Sequence, residues 1–180
     1  MRKRINTLLL ILTAMMSMAL SSCDSMIAYD LEGTWEGDMY MVRDGRHAIQ
    51  TCIEFIGDPY HSTSGRGYWL EEYSPMPNDY FYSRIEWKVR DRKIIIYLLD
   101  DRDKYGDPFE LVIRDYDLDD DRFSGYVDYA GGSREFYLYH TSSPHWNDYN
   151  YGYGYNYYYS KGKNAKDSVV APCTHEMRQD

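Results

Sequence analysis

A succession of short strand-like segments between Gly33 and His140 is the feature that most constrains how this 180-residue chain can fold. Turn-forming residues separate the segments, and none of them shows a sustained helical period. Short links between so many strands favour an all-β antiparallel up-and-down meander, which closes most simply into a small barrel of about eight strands. A β-sandwich is the alternative fold. The predicted strands span residues 34–42, 48–56, 66–73, 81–90, 93–99, 109–116, 122–128 and 134–140.

Alternation of apolar and polar residues predicts which side of each strand faces the core. It is clearest in the segment SRIEWKVR, where charged residues separate Ile85, Trp87 and Val89. Successive side chains of a strand point to opposite faces, so we expect these three to point inward. The full set predicted to point inward is Trp35, Met39, Tyr68, Leu70, Ile85, Trp87, Val89, Phe109, Leu111 and Phe136.

The first 23 residues have the order of a bacterial export signal. A basic segment, an apolar run and small residues precede Cys23, as is typical of a secretory signal. The alternative is a transmembrane helix, but that needs about 20 predominantly apolar residues, and polar residues interrupt this run. The segment Leu20-Ser21-Ser22-Cys23 resembles the lipobox of bacterial lipoproteins. That resemblance implies that residues 1–22 are a cleaved signal peptide and that Cys23 carries lipid, palmitate among its acyl chains.

A lipidated Cys23 would hold the protein on a membrane without a spanning helix. The resemblance therefore implies a location in the cell envelope of a diderm bacterium, with the outer membrane favoured and the leaflet left open. Residues 23–31 are predicted to be a lipidated tether between the anchor and the folded domain.

The charge of the mature chain excludes one class of partner. Cleavage after residue 22 removes three of the 20 Lys and Arg residues but none of the 29 Asp and Glu residues, which leaves a net charge of −12. Nucleic acids bind proteins through clustered Lys and Arg, so we expect no nucleic-acid partner.

The segment Gly33-Thr34-Trp35 opens the first predicted strand and resembles the Gly-x-Trp signature of lipocalins and smaller lipocalin-like barrels. The resemblance covers about residues 31–140 and implies that residues 32–141 form a barrel in which Gly33 and Trp35 close one end. Two features depart from the family's pattern. No helix is predicted after the last strand, and Val127 replaces the Thr of the family's Thr-Asp-Tyr motif.

The lipocalin resemblance also implies a function, the binding of a small apolar or amphipathic ligand inside the barrel. The alternative is a barrel filled by its own side chains, which is common among eight-stranded barrels. The residues predicted to bind the ligand are Tyr68, Trp87, Phe109 and Phe136.

Two cysteines remain if Cys23 carries lipid. Cys52 is predicted to point away from the core, because Ile53 and Phe55 on the same strand are predicted to point inward. In an exported protein Cys52 could form a disulfide with Cys173, and two thiols are the alternative.

Residues 142–180 form a Tyr-rich, low-complexity tail. Tyrosines alternate with Gly and Asn from Tyr149 to Tyr159, so an extended chain would place them on one face. Three interpretations are open: a disordered tail, a strand-like flap on the barrel, and an aromatic platform for a protein or glycan partner at residues 146–159. The platform supports the alternative function, that of an interaction module such as an inhibitor, adhesin or subunit of an envelope complex.

Motifs for catalysis, cofactors and metals were not found in the sequence. It contains no nucleophile elbow, His-Glu-x-x-His motif, phosphate-binding Gly loop or Cys-x-x-Cys pair. Two acidic runs match a calcium loop only in part. In the run from Asp117, Arg122 occupies the glycine position and Asp128 replaces the final Glu, and in the run from Asp101, Tyr105 and Val112 occupy two ligand positions. Neighbouring carboxylates such as Glu71 and Glu72 should point to opposite faces of a strand. We therefore predict a noncatalytic protein without cofactor or metal.

Overall fold

The computed structural model describes residues 23–75, 79–102 and 105–153. In this part of the chain a helix, α1, spans residues 23–31, and a 3-10 turn spans Trp146–Asp148. The strands are β1 (Gly33–Asp38), β2 (Val42–Arg43), β3 (Arg46–His47), β4 (Gln50–Asp58), β5 (His61–Glu72), β6 (Tyr80–Arg90), β7 (Lys93–Arg102), β8 (Pro108–Leu118), β9 (Arg122–Tyr129), β10 (Gly132–Thr141) and β11 (Gly152–Tyr153).

Eight of these strands form a closed antiparallel barrel. Each strand from β4 to β10 pairs with the next one along the chain, and β1 lies between β10 and β4 to complete the ring. The remaining strands are short: β2 and β3 pair with each other, and β11 adds to the edge of β6. The up-and-down barrel predicted from the sequence is confirmed, and each predicted strand overlaps one strand of the ring.

The interior of the barrel is filled with large side chains. Ile85, Trp87 and Val89 are buried as predicted. Aromatic rings meet edge to face inside, with ring centres 4.9 Å apart for Phe123 and Phe136. Burial of each large apolar side chain contributes about 1.5–3 kcal/mol, so this cluster is the main source of stability. Its aromatic members include Trp35, Trp69, Trp87, Phe55, Phe81, Phe123 and Phe136.

The barrel has two ends that differ in how they are covered, here called the base and the mouth. The base carries the start of β1 and the turns between β4 and β5, β6 and β7, and β8 and β9. The mouth carries the β2–β3 hairpin and the connections between β5 and β6, β7 and β8, and β9 and β10.

Helix α1 covers the base, which corrects the prediction of a tether at residues 23–31. Ala28 and Leu31 on one side of the helix are buried in the barrel core. The Leu31 carbonyl accepts a hydrogen bond of 2.9 Å from the Trp35 indole N–H. Only a few apolar positions carry this packing, and a segment of nine residues is too short for its helical period to be evident in the sequence.

Residues 142–153, here called the strap, cross the outer wall of the barrel at β4, β5 and β6. The Ser143 hydroxyl contacts Thr34 Oγ1 at 2.6 Å. Farther along, the Asn150 amide donates to the Tyr80 hydroxyl at 2.9 Å, and β11 pairs with β6. This part of the tail therefore lies on the barrel, as in the flap interpretation.

Under the strap is a second apolar cluster, outside the barrel. It contains Cys52, Leu70 and Tyr82, with Tyr68 packed against them. The inward orientation predicted for Tyr68 and Leu70 was wrong, because Trp69 and Glu71 occupy the inner face of β5 instead. Because the strap covers the outer face of β5, this strand carries large apolar side chains on both faces. The alternation of apolar and polar residues therefore could not show which face of β5 points inward.

Candidate functional site

A cavity of about 690 Å³ opens at the mouth of the barrel. Cavities of roughly 300–1,000 Å³ are usual for small-molecule sites, and barrel mouths are among the places where they occur. The cavity combines apolar side chains with a small group of charged ones. Its lining consists of Met41, Val42, Arg43, Asp44, Glu71, Asp101, Arg102, Phe109, Tyr129, Ala130 and Gly131.

The β2–β3 hairpin brings Arg43 to the cavity. Asp44 and Gly45 form its two-residue turn, and both have positive φ angles, of 51° and 76°. Asp-Gly is a favoured pair for such turns because Gly adopts this conformation without steric cost. The hairpin folds Arg43 over the mouth, where its guanidinium lies 4.0 Å from the centre of the Phe81 ring.

Arg43 holds two carboxylates from different strands. Its Nε and Nη2 atoms donate to the two oxygens of Glu71 at 3.2 and 3.3 Å, and its Nη1 donates to Asp101. Glu71 comes from the inner face of β5 and Asp101 from the end of β7, so the guanidinium links three separate segments of the mouth. The paired contact with Glu71 is the geometry in which Arg binds carboxylates most specifically.

The Glu71 carboxylate is fully buried and has several donors. Besides Arg43, it accepts hydrogen bonds from the Trp69 indole N–H at 2.9 Å and the Tyr73 hydroxyl at 2.5 Å. Buried charges are tolerated in proteins only when they are paired and hydrogen-bonded in this way. The Glu71 carboxylate and its three donor residues therefore form a rigid polar floor for the cavity.

The charge of Arg43 is fixed by its surroundings. Burial disfavours the cation, but the Glu71 carboxylate and then Asp101 outweigh this and raise the pKa of Arg43 above its ordinary value. Arg43 is therefore charged at every physiological pH. Phe109 stands beside it, with its ring centre 5.6 Å from the guanidinium carbon, so the cavity has a cationic group next to an apolar wall.

The residues predicted to bind a ligand are not brought together by the structure. Phe109 lines the mouth cavity. Trp87 and Phe136 are buried in the packed core, and the Trp87 indole donates to the Arg66 carbonyl at 2.9 Å. Tyr68 lies on the outer wall under the strap, so its assignment to the barrel interior was wrong.

Gly33 and Trp35 lie at the base, beneath α1. Gly33 has a φ of 130°, a conformation that L side chains rarely adopt, and a Cβ atom there would lie 2.4 Å from His140 Nε2. The His140 ring packs edge to face on Trp35, with ring centres 5.1 Å apart.

The three cysteines have different surroundings. Cys23 is exposed at the start of α1. Cys52 points away from the barrel core, as predicted, but is buried under the strap. Cys173 lies outside the described residues, so the disulfide between Cys52 and Cys173 stays a prediction.

Part of the platform predicted at residues 146–159 lies in the strap. Trp146 stacks against both Tyr68 and Tyr82, with ring centres 5.1 and 5.8 Å away. Tyr149 is buried, whereas Tyr151 stacks on Tyr82 at 5.0 Å and stays half exposed. The tyrosines from Tyr155 onward lie outside the described residues.

Sequence reasoning missed Arg43 and Glu71 as site residues. The Asp-Gly turn after Arg43 was a signal for the hairpin, and the opposite orientations expected for Glu71 and Glu72 are present: Glu71 faces inward, and Glu72 faces the other way. Nothing in the sequence showed that these two segments, 28 positions apart, meet at one end of the barrel.

The described residues contain no group of three or more His, Cys, Asp or Glu side chains placed to hold a metal ion. Within the same residues, no helix is both long and apolar enough to span a membrane.

In comparisons with protein-family models, curated proteins and solved structures, nothing matches the chain. Its fold and site thus define an eight-stranded barrel with a helix-covered base, a packed interior and a charged cavity at the mouth.

Proposed function

We propose that this protein is a lipid-anchored, noncatalytic protein of the bacterial cell envelope that binds a small amphipathic ligand. The mouth cavity, with Arg43 and Phe109 side by side, is the observation that supports ligand binding. An amphipathic molecule would place its apolar part against Phe109 and Met41 and its polar part toward the Arg43–Asp101 group.

The site of binding is the mouth and not the centre of the barrel. Residues predicted to line a central pocket, Trp87 and Phe136 among them, are buried in contact with their neighbours. A ligand in the interior would have to displace this packing, and opening space in a core costs several kcal/mol. The mouth cavity exists without such rearrangement.

The first experiment is native mass spectrometry of residues 24–180 secreted into a bacterial periplasm. We expect a retained adduct of roughly a few hundred daltons, which is the size that such a cavity holds. A Phe109→Ala variant should lose the adduct. The control Tyr126→Ala, on the outer wall, should keep it. An adduct-free spectrum, together with no saturable binding of a fluorescent amphipath such as anilinonaphthalene sulfonate, would refute ligand binding.

The anchor is tested separately on the full chain. Expression in a bacterium fed labelled palmitate should place the label on the wild-type protein and not on a Cys23→Ala variant. Fractionation of the labelled cells should place the protein in the outer membrane. Unlabelled wild-type protein would refute the anchor without affecting the ligand proposal.

A second candidate function is the binding of a protein or glycan partner through residues 146–159. The observation that favours it is the half-exposed Tyr151 on the stack formed by Trp146 and Tyr82. Deletion of residues 154–180 combined with Tyr151→Ala, with the rest of the strap kept, should abolish partner capture but leave the mouth adduct unchanged. Capture that survives both this deletion and Tyr151→Ala would refute this candidate.

A further inference from the structure

Several exposed apolar side chains lie at the base of the barrel, where α1 begins with Cys23. Met26, Tyr29 and Tyr60 have exposed fractions of 65%, 78% and 89%, among the largest of the apolar residues in the described part of the chain. Ile56 has an exposed fraction of 47% and lies near the end of β4 that is at the base. An isolated exposed apolar residue is ordinary, but a group of them marks a surface that meets a partner or a membrane.

The helix places part of this group on one face. Residues three apart in a helix lie on the same side, so Cys23, Met26 and Tyr29 follow one edge of α1. Ala28 and Leu31 lie on the opposite side and are buried in the barrel core. The exposed edge of α1 therefore points away from the barrel.

Side-chain contacts fix this face relative to the barrel. The Asp24 carboxylate accepts hydrogen bonds from the amides of Asp91 and Arg92, at 3.1 and 3.0 Å, in the turn between β6 and β7. The hydroxyls of Ser25 and Ser62 are 3.1 Å apart, which joins α1 to the strand that begins beside Tyr60. These contacts hold α1 against the base of the barrel, next to the turn that carries Tyr60.

We propose that this base face, consisting of Met26, Tyr29, Ile56 and Tyr60, lies against the lipid bilayer and holds the barrel upright with its mouth directed away from the membrane. The inference rests on the membrane anchor of the proposed function. Tyrosine is enriched at the membrane interface, because its ring is apolar and its hydroxyl is polar. The acyl chains on Cys23, or an uncut segment 1–22, would both reach the base at the same point of the chain.

The mouth is far enough from the base for the orientation to be measured. Strand β6 has 11 residues, which rise about 3.3 Å each, and barrel strands tilt by about 35–45°. The two ends are therefore about 25 Å apart, well beyond the reach of a contact quencher in the acyl chains. Tyr105 at the mouth is 77% exposed and is a matched control for Tyr29 at the base.

The test uses the full chain, expressed with its own signal and reconstituted into phosphatidylcholine vesicles with brominated acyl chains. Single Trp reporters are introduced as Tyr29→Trp, Tyr60→Trp and Tyr105→Trp, and the quenching of the added fluorescence is measured against the parent protein. We expect quenching at positions 29 and 60 to be several-fold stronger than at position 105. Equal quenching at all three positions, or stronger quenching at position 105, would overturn the proposal.

A second measurement separates membrane contact from proximity alone. In the variant that carries the Tyr60→Trp reporter, we also introduce Met26→Asp and Tyr29→Asp. Quenching of the Trp at position 60 should then fall to the level measured for the Trp at position 105. The control pair Tyr126→Asp/Tyr137→Asp on the outer wall should leave it unchanged. Retained quenching in the base variant would overturn the role of these side chains. Palmitate labelling of the same samples reports on the anchor independently, so failure of the anchor and failure of this orientation are distinguishable.

Discussion

Replacing Arg43 with Met removes a charge and its donors from the mouth but leaves an unbranched side chain to pack on Phe81. The Glu71 carboxylate would then be buried with the Trp69 and Tyr73 donors but without a countercharge. Breaking a buried ion pair by removing one partner costs about 3–5 kcal/mol. The Arg43 side chain is 10% exposed at the rim of an open cavity, so we expect the lower end, about 3 kcal/mol.

The assays are urea unfolding, which gives the free energy of unfolding, and thermal unfolding, which gives Tm, of wild type and variants at pH 7. For a chain of this size, a loss of about 3 kcal/mol corresponds to a decrease in Tm of roughly 6–12 °C. Arg46→Met on the same hairpin is the matched control, because the Arg46 side chain is 40% exposed and pairs with Asp79 near the surface. Such a pair contributes about 0–1 kcal/mol.

The double variant Arg43→Met/Glu71→Gln isolates the electrostatic part of the cost. The amide introduced by Glu71→Gln is neutral, so it needs no countercharge, and its oxygen still accepts hydrogen bonds. The double variant should therefore be more stable than Arg43→Met alone. If Arg43→Met costs no more than the Arg46→Met control, or if Glu71→Gln fails to recover any stability, the buried ion pair does not stabilise the mouth as argued.

Three further predictions concern the barrel itself. Trp87→Ala should lower the free energy of unfolding by about 3–5 kcal/mol in urea titrations, and a variant of unchanged stability would show that Trp87 is not part of the core. Gly33→Ala should cost about 1–3 kcal/mol in the same assay, because the alanine would adopt a strained φ and contact His140; a neutral effect would contradict the conformation at this position. Burial opposes ionisation of Asp100, but its hydrogen bonds with Arg84 outweigh this and hold the pKa of Asp100 below its ordinary value. The stabilising contribution of Asp100 is therefore complete above about pH 4 and is lost as the pH falls through the folded-state pKa. Asp100→Asn should consequently make the decline of Tm at acid pH less steep. A dependence of Tm on pH that is unchanged in this variant would refute the contribution of Asp100.

The barrel was predictable from sequence because most of its strands have one apolar and one polar face. The segment containing Ile85, Trp87 and Val89 is the clearest case, with charged residues between them that remain outside. Strand β5 shows the limit of the argument. Tyr68 and Trp69 are neighbouring aromatic residues, so the sequence does not show which of them points inward. The strap that covers Tyr68 on the outer wall comes from far along the chain.

The candidate site was less predictable than the fold, because it depends on contacts between distant segments. Arg43 meets Glu71 and Asp101 only after the hairpin, β5 and β7 have come together at one end of the ring. Helix α1 escaped prediction for a different reason. Its packing depends mainly on Ala28 and Leu31, too few positions to establish a helical period.

The strap has a consequence for how the protein is made. The ring of strands is complete once the chain has reached Thr141, yet the outer wall around Leu70 and Tyr82 is covered only by residues that are synthesised later. A chain cut after Thr141 would contain every barrel strand and would still expose the apolar patch on its outer wall to water. Cellular quality control could therefore recognise an incomplete copy by this wall, even though its barrel has already closed.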